Sequence, residues 1–299
     1  MQISENNSLL VKGYTLNEAY KEGLGGERLG LFHILASTFL IMGFASGQFI
    51  GQLIGFLELQ PKYICSNDAK FASYFKCSPH ADKDLRGFCG TNLFYKVDWN
   101  EPTSLDNWFV QLNLACESKA RIGLIGSSIF FGWALSAIFL PRLADLYGRK
   151  LIVLISLCIQ LVSFIGFYFS RNINVTTAFA FVFGTAAVGR CSISFLYLIE
   201  LMPQSRQVLI GTFLHVSNGL VGILGFLYFW QISRNWLWIE IVAGAMNLVS
   251  IAGILLLLPE SPKYLLTKKR FQEARDCINK IAKINGKEGL FNGKFEAER

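Results

Sequence analysis

A helix that crosses a lipid bilayer needs about 20 consecutive, mostly apolar residues. This chain contains six such runs, at about 31–57, 121–141, 149–170, 175–199, 208–230 and 236–258. They are too long and too closely spaced to be the core helices of a soluble fold. Only 16% of the 299 residues are charged and 52% are hydrophobic, against roughly 25% charged in an ordinary soluble domain. A disordered tail is excluded on this ground, and a soluble enzyme is disfavoured. Residues 1–28 are polar, and the apolar run that follows far exceeds the core of a secretory signal peptide. The expected fold is an all-α membrane protein with six transmembrane helices. Residues 1–28 form its N-terminal segment, 29–258 its bundle and 259–299 its tail.

The net charge of +7 is local: residues 263–299 hold ten Lys/Arg and five Asp/Glu, a balance of +5. No nucleic-acid partner is needed to explain it. Short loops carry the topological information. Arg142, Arg149 and Lys150 follow the second run and Arg206 the fourth, whereas only Arg171 and Arg234 follow the third and fifth. Both termini are therefore expected in the cytoplasm, and the long segment 58–120 outside it. The expected setting is the plasma membrane or a secretory-pathway membrane, with the lipid bilayer as the main partner.

Four of the seven cysteines, Cys65, Cys77, Cys89 and Cys116, fall in that long segment. On an oxidising side of the membrane they suggest two disulfides with three possible connectivities; the alternative is four free thiols. Trp99 and Trp108 offer the segment a small core. In the tail, Leu265, Leu266, Phe271, Ala274, Ile278, Ile281 and Ala282 recur mainly at three- and four-residue steps. That is an amphipathic helix, placed on an anionic leaflet, under the bundle or in solvent.

The sharpest local signal is Pro141-Arg142-Leu143-Ala144-Asp145-Leu146-Tyr147-Gly148-Arg149-Lys150, read as a tight loop between the second and third spans. Gly148 permits a turn that a β-carbon would hinder, and Asp145 is placed to meet an Arg or a helix N-terminus. The segment resembles the D-x-x-G-R-[KR] signature of the major facilitator superfamily, with Pro141 where the family usually has Gly. Glu200 and Arg206 resemble the Glu…Arg pair of its cytoplasmic gate. Pro259-Glu260-Ser261-Pro262-Lys263-Tyr264 is similar to the motif after helix six of sugar porters and organic-ion transporters. The long loop, with Pro61-Lys62-Tyr63-Ile64-Cys65 and Leu114-Ala115-Cys116 at its ends, resembles the organic-cation/organic-anion branch.

The resemblance implies the N-terminal half of a major facilitator fold. It further implies a solute carrier of organic ions or, alternatively, sugars, in which two six-helix halves rock about a midplane site. Asp145, Gly148, Arg149, Lys150, Glu200, Arg206 and Glu260 would then form its inner gate. Arg190 lies ten residues before Glu200, roughly 15 Å deeper at 1.5 Å per residue. An intramembrane Arg costs at least about 2.5–3.5 kcal/mol and needs a partner or water. It is a candidate for contact with a substrate, or for a structural pair with another helix. Phe195, Tyr197, His215 and Asn218 are further cavity candidates. No nucleotide loop, nucleophile elbow or metal motif is present in the sequence, so neither a cofactor nor a metal is expected. The superfamily has about twelve spans, so a chain with six is expected to be a half that pairs with a second half or a second copy, a truncated product, or a non-transporting subunit of a complex.

Overall fold

The computed structural model describes residues 13–24, 29–80, 85–287 and 291–298. A short helix, Leu16–Leu24 (α1), precedes the first span, Leu31–Leu57 (α2). An inserted domain follows. It carries strands Tyr63–Ser66 (β1), Phe75–Ser78 (β2), Arg86–Gly87 (β3) and Phe94–Val97 (β4), then a short helix, Trp108–Gln111 (α3). The second and third spans are Lys119–Tyr147 (α4) and Arg149–Phe169 (α5). The fourth is interrupted: Ile173–Thr185 (α6) and Ser194–Glu200 (α7) flank a π-helical turn at Gly189–Ile193. Helices Gln207–Leu227 (α8) and Leu237–Leu256 (α9) are the cores of the fifth and sixth spans. Two tail helices, Pro262–Thr267 (α10) and Phe271–Ile284 (α11), complete the order.

All six expected spans are thus helices long and apolar enough to cross a membrane. α2 packs on α9 and α8, α4 on α6, and α5 on both α6 and α9. Outside these contacts the bundle presents large apolar side chains, Phe131, Phe139, Trp230 and Leu256 among them. That surface suits hydrocarbon rather than water, because only closed backbone hydrogen bonding with apolar side chains outward is stable in lipid.

The loop expected between the second and third spans is shorter than the sequence suggests. α4 continues through Pro141 to Tyr147, and the turn is the single residue Gly148. Its φ of 109° is favourable only for glycine, and a β-carbon there would also run into the Glu260 carboxylate.

The insert is a small stapled domain. Its strands form a sheet in the order β3-β2-β1-β4, with Tyr63 opposite both Cys77 and Val97. Of the possible cysteine pairings, the structure has Cys65–Cys77 within the sheet and Cys89–Cys116 tying it to the start of α4. Phe88 stacks on Tyr95 at 4.1 Å, and Tyr63 packs edge-on at 5.1 Å from Phe88. Trp108 is buried, but Trp99 is exposed and not part of the core, because it lies in the turn after β4.

Three side chains clamp the insert to the span ends. Asn107 Nδ2 donates to Phe56 O at 2.6 Å and Leu59 O at 2.9 Å. Gln111 Nε2 donates to Phe167 O and Ser170 O at 3.1 and 2.9 Å. Arg234 Nη1 reaches Trp99 O at 2.8 Å.

At the opposite end the tail docks under the bundle. α11 buries Ala274, Cys277, Ile278, Ile281 and Ala282 in one cluster with Ala19 and Tyr20 of α1, Leu201 and Leu258. Lys280 stays exposed on the other face of α11, and Lys263, Lys268 and Lys269 are exposed on α10 and the turn that follows it. Two further hydrophobic residues, Phe291 and Phe295, close this cluster.

Candidate functional site

The tail-side end of the bundle is held by a charged network centred on Arg149. Because α5 begins directly after Gly148, the first N–H groups of the helix have no intrahelical acceptor. Glu260 supplies one: its Oε1 accepts from Arg149 N at 3.0 Å, Lys150 N at 3.1 Å and Ser261 N at 2.9 Å. A carboxylate at this position also meets the positive end of the helix dipole. The converse occurs at the end of the sixth span, where Lys150 Nζ donates to Leu255 O at 3.2 Å and Leu258 O at 2.6 Å.

The Arg149 side chain, 12% exposed, joins several elements. Nη2 pairs with Asp145 Oδ1 at 2.9 Å, and Nη1 donates to Ala144 O at 3.0 Å. Nε lies 3.3 Å from Glu200 Oε2 as an ion pair without hydrogen-bond alignment. The guanidinium sits 5.2 Å above the Tyr264 ring. Glu200, 4% exposed, is oriented further by Ser261 Oγ, which donates to its Oε2 at 2.6 Å. Tyr20 of α1 donates to Glu200 O at 3.3 Å.

One expectation needs correction at this end. Arg206 is exposed and makes no ion pair with Glu200 among the described residues. It lies in the turn before α8, so Arg149 takes the expected place. The Asp145 side chain that meets Arg149 is 68% exposed, because it stands on the outer face of α4.

Roughly 15 Å deeper, by the helical rise, Arg190 sits in the π-helical turn. It is 4% exposed. Its Nη1 donates to Gln160 Oε1 at 3.1 Å, and Gln160 Nε2 donates in turn to Ser46 Oγ at 2.7 Å. The guanidinium stacks over Phe183 at 4.1 Å from the ring centroid. It also lies so close to Gly47 that a β-carbon there would collide with it. No carboxylate pairs with Arg190 among the described residues, and its Nε has no hydrogen-bond partner. Arg190 forms one wall of a cavity of about 90 Å³ with Gln48, Gln52, Trp133 and Cys191.

The remaining cavity candidates separate. Asn218 is tied to the cavity wall through Gln52, whose Nε2 reaches Asn218 Oδ1 at 2.5 Å. Phe195 and His215 pack against each other at 5.5 Å and are outside the cavity lining. Tyr197 is not a cavity residue: it is fully buried, and its hydroxyl donates to Pro259 O in the tail-side network. Seven residues beyond Arg190 on the same span, it lies about 10 Å nearer the tail side.

Sequence reasoning missed two acids. Glu58 caps the insert-side end of α2 and accepts from Gly126 N at 3.1 Å; burial raises its carboxyl above the usual range. Glu240 is buried within the sixth span. A single carboxylate in an otherwise apolar run was the available signal.

The family model described as "Sugar (and other) transporter" matches residues 66–296, which takes in the Arg149 network, the Arg190 span and both tail helices. The chain belongs to that family. Solute carrier family 22 member 2 of Rattus norvegicus is 24% identical over 87% of this chain and 55% of its own length. Organic cation/carnitine transporter 2 of Homo sapiens is 26% identical over 70% of the chain and 37% of its length. The major myo-inositol transporter IolT of Bacillus subtilis is 32% identical over 57% of the chain and 37% of its length. The chain therefore spans about half the length of the curated relatives it matches. Within this family member, the expected major facilitator half is a six-helix unit with a disulfide-stapled insert on one end and a docked helical tail on the other.

Proposed function

We propose that this chain is one six-helix half of an alternating-access membrane carrier for organic ions, with polyols or sugars as the alternative solute. The observation that carries the reading is Arg190. A buried cation without a carboxylate partner, lining a cavity with two glutamines and an indole, is an expensive feature in a bilayer unless a solute meets it. The relatives' names point the same way: one is a solute carrier, one an organic cation/carnitine transporter and one a myo-inositol transporter.

In this reading the tail side is cytoplasmic and the network of Arg149, Glu200, Asp145 and Glu260 is the inner gate. Removing one partner of a buried ion pair costs about 3–5 kcal/mol, so opening must exchange these contacts rather than simply break them. The stapled insert lies outside the cell or in a secretory lumen. A second six-helix unit, in continuation of the chain or from a second copy, supplies the facing wall. The alternative of another class is a non-transporting subunit of a membrane complex.

Uptake into liposomes decides between them. Chain reconstituted alone, and as an in-line fusion of two copies, is expected to take up a labelled organic ion or polyol saturably. Uptake equal to empty liposomes, together with stoichiometric co-purification in a larger complex, would establish the subunit reading instead.

A further inference from the structure

The sixth span buries a carboxyl that neither the gate nor the cavity uses. α9 turns Glu240, Ala243, Asn247, Ser250 and Gly253 toward the bundle, a stripe at three- and four-residue steps. Its tail-side part is seated on α2, where Ser250 Oγ donates to Phe39 O at 2.7 Å. At its other end Glu240 is 5% exposed. Neither of its carboxylate oxygens has a hydrogen-bond partner among the described residues.

A complementary group lies in the neighbouring core. Trp108 Nε1, a donor, is also buried without a partner. The Trp108 ring stands 4.9 Å from Phe167 and 5.8 Å from Trp236, four residues before Glu240. One helical turn from Glu240, about 5 Å along the axis, Trp236 and Leu237 line a polar pocket of about 280 Å³. Asp106, Gln111, Arg171 and Asn235 complete most of its wall.

An ionised carboxylate without a partner in such a place costs several kcal/mol, whereas a carboxylic acid is neutral. We propose that Glu240 is a proton-binding site, filled and emptied through the pocket that Trp236 and Leu237 line. One proton passes from water in the pocket to the carboxylate, giving the acid; the reverse step returns it.

The charged and titratable groups of the packed neighbours are few, and at the insert-side end α2 is capped by Glu58, which is held by Gly126 N at 3.1 Å. The one titratable side chain of α2 is His33, on the tail side of Phe39. α5 has Arg149 and Lys150 at its tail-side end, an exposed Cys158, and Tyr168 at the pocket. The pocket itself adds Asp106 and Arg171. The inference concerns this chain's own residues and holds whether or not the chain transports.

Infrared difference spectroscopy of the purified chain in lipid nanodiscs, titrated from mildly acidic to alkaline, tests it. A carbonyl band of a protonated carboxylic acid is expected to titrate in the wild type and to be lost in Glu240→Gln. Tryptophan emission should show a matching pH-dependent change, lost in Glu240→Gln and reduced in Trp108→Phe. Glu240→Gln, isosteric with the acid, should keep wild-type helicity. The bands of Glu58 and Asp106 are common to both proteins, so the proposal is overturned if wild type and Glu240→Gln show the same titrating carboxyl intensity. Failure of Glu240→Gln to fold would overturn it as well, since a neutral isostere could then not replace the group.

Discussion

Replacing Glu260 with alanine should loosen the tail from the third span. Its Oε1 receives three backbone N–H groups, from Arg149, Lys150 and Ser261, at 2.9–3.1 Å. Two of them open α5 and have no other acceptor in their own helix. Loss of a capping side chain costs about 0.5–2 kcal/mol, and a hydrogen bond to a charged group contributes about 1.5–3 kcal/mol. Glu260 is only half-buried, so water takes over part of the lost bonding. The expected total is therefore about 2–3 kcal/mol, well below the sum of three charged bonds.

At roughly 2–4 °C per kcal/mol for a chain of this size, the apparent Tm should fall by about 4–12 °C. Circular dichroism of the detergent-solubilised chain measures it. Glu260→Gln keeps one acceptor and should lose less. Glu273→Ala removes an ion pair with Arg270 in which both side chains are about half exposed, a pair of the kind that contributes about 0–1 kcal/mol. A Tm for Glu260→Ala no lower than that of Glu273→Ala would refute the capping argument.

Gly148→Ala places a β-carbon at a φ of 109° and against Glu260; a loss of about 1–3 kcal/mol is expected, read as a Tm drop similar to that of Glu260→Ala and not additive with it. Cys89→Ser opens the link between the sheet and α4, and about 2–5 kcal/mol of insert stability should go with it, seen as rapid proteolysis of the insert while the bundle stays intact. Burial raises the Asp106 carboxyl above its usual range. The folded insert thus binds that proton more tightly than the unfolded chain. The resulting stability is complete below the ordinary aspartate value of about 3.9 and is lost as pH rises through the raised one. Asp106→Asn should flatten that slope in pH-dependent melting, and an unchanged slope would contradict the assignment.

The six spans were legible because membrane crossing imposes a length that few other constraints produce. The turn was legible for its chemistry but not its extent: Pro141 reads as a helix end, yet α4 runs six residues further. Residue spacing also placed Arg190 deep in the bundle. It did not reveal that Gln160 of the third span holds it, since that residue lies on another helix, or that Phe183, seven residues earlier on the same span, stacks under it. Tyr197 was misread because the direction of a side chain around a span depends on which neighbours pack there. The sheet of the insert was invisible for a different reason: its strands have at most four residues and no clear apolar alternation. Trp99 and Trp108 looked equivalent in the sequence, and only the clamp at Asn107 and Gln111 separates the buried one from the exposed one. Glu240 escaped notice beside the end of an apolar run, where an acid normally reaches water.

The account centres on Arg190 as the solute-facing charge of a carrier half. Its most direct test is uptake of a charged organic solute by Arg190→Gln and Arg190→Lys, beside the wild type, in liposomes with equal protein incorporation and equal helicity. Uptake should fall at least about tenfold in Arg190→Gln, equivalent to about 1.4 kcal/mol, and be partly kept in Arg190→Lys. Equal saturable uptake by all three would contradict the account.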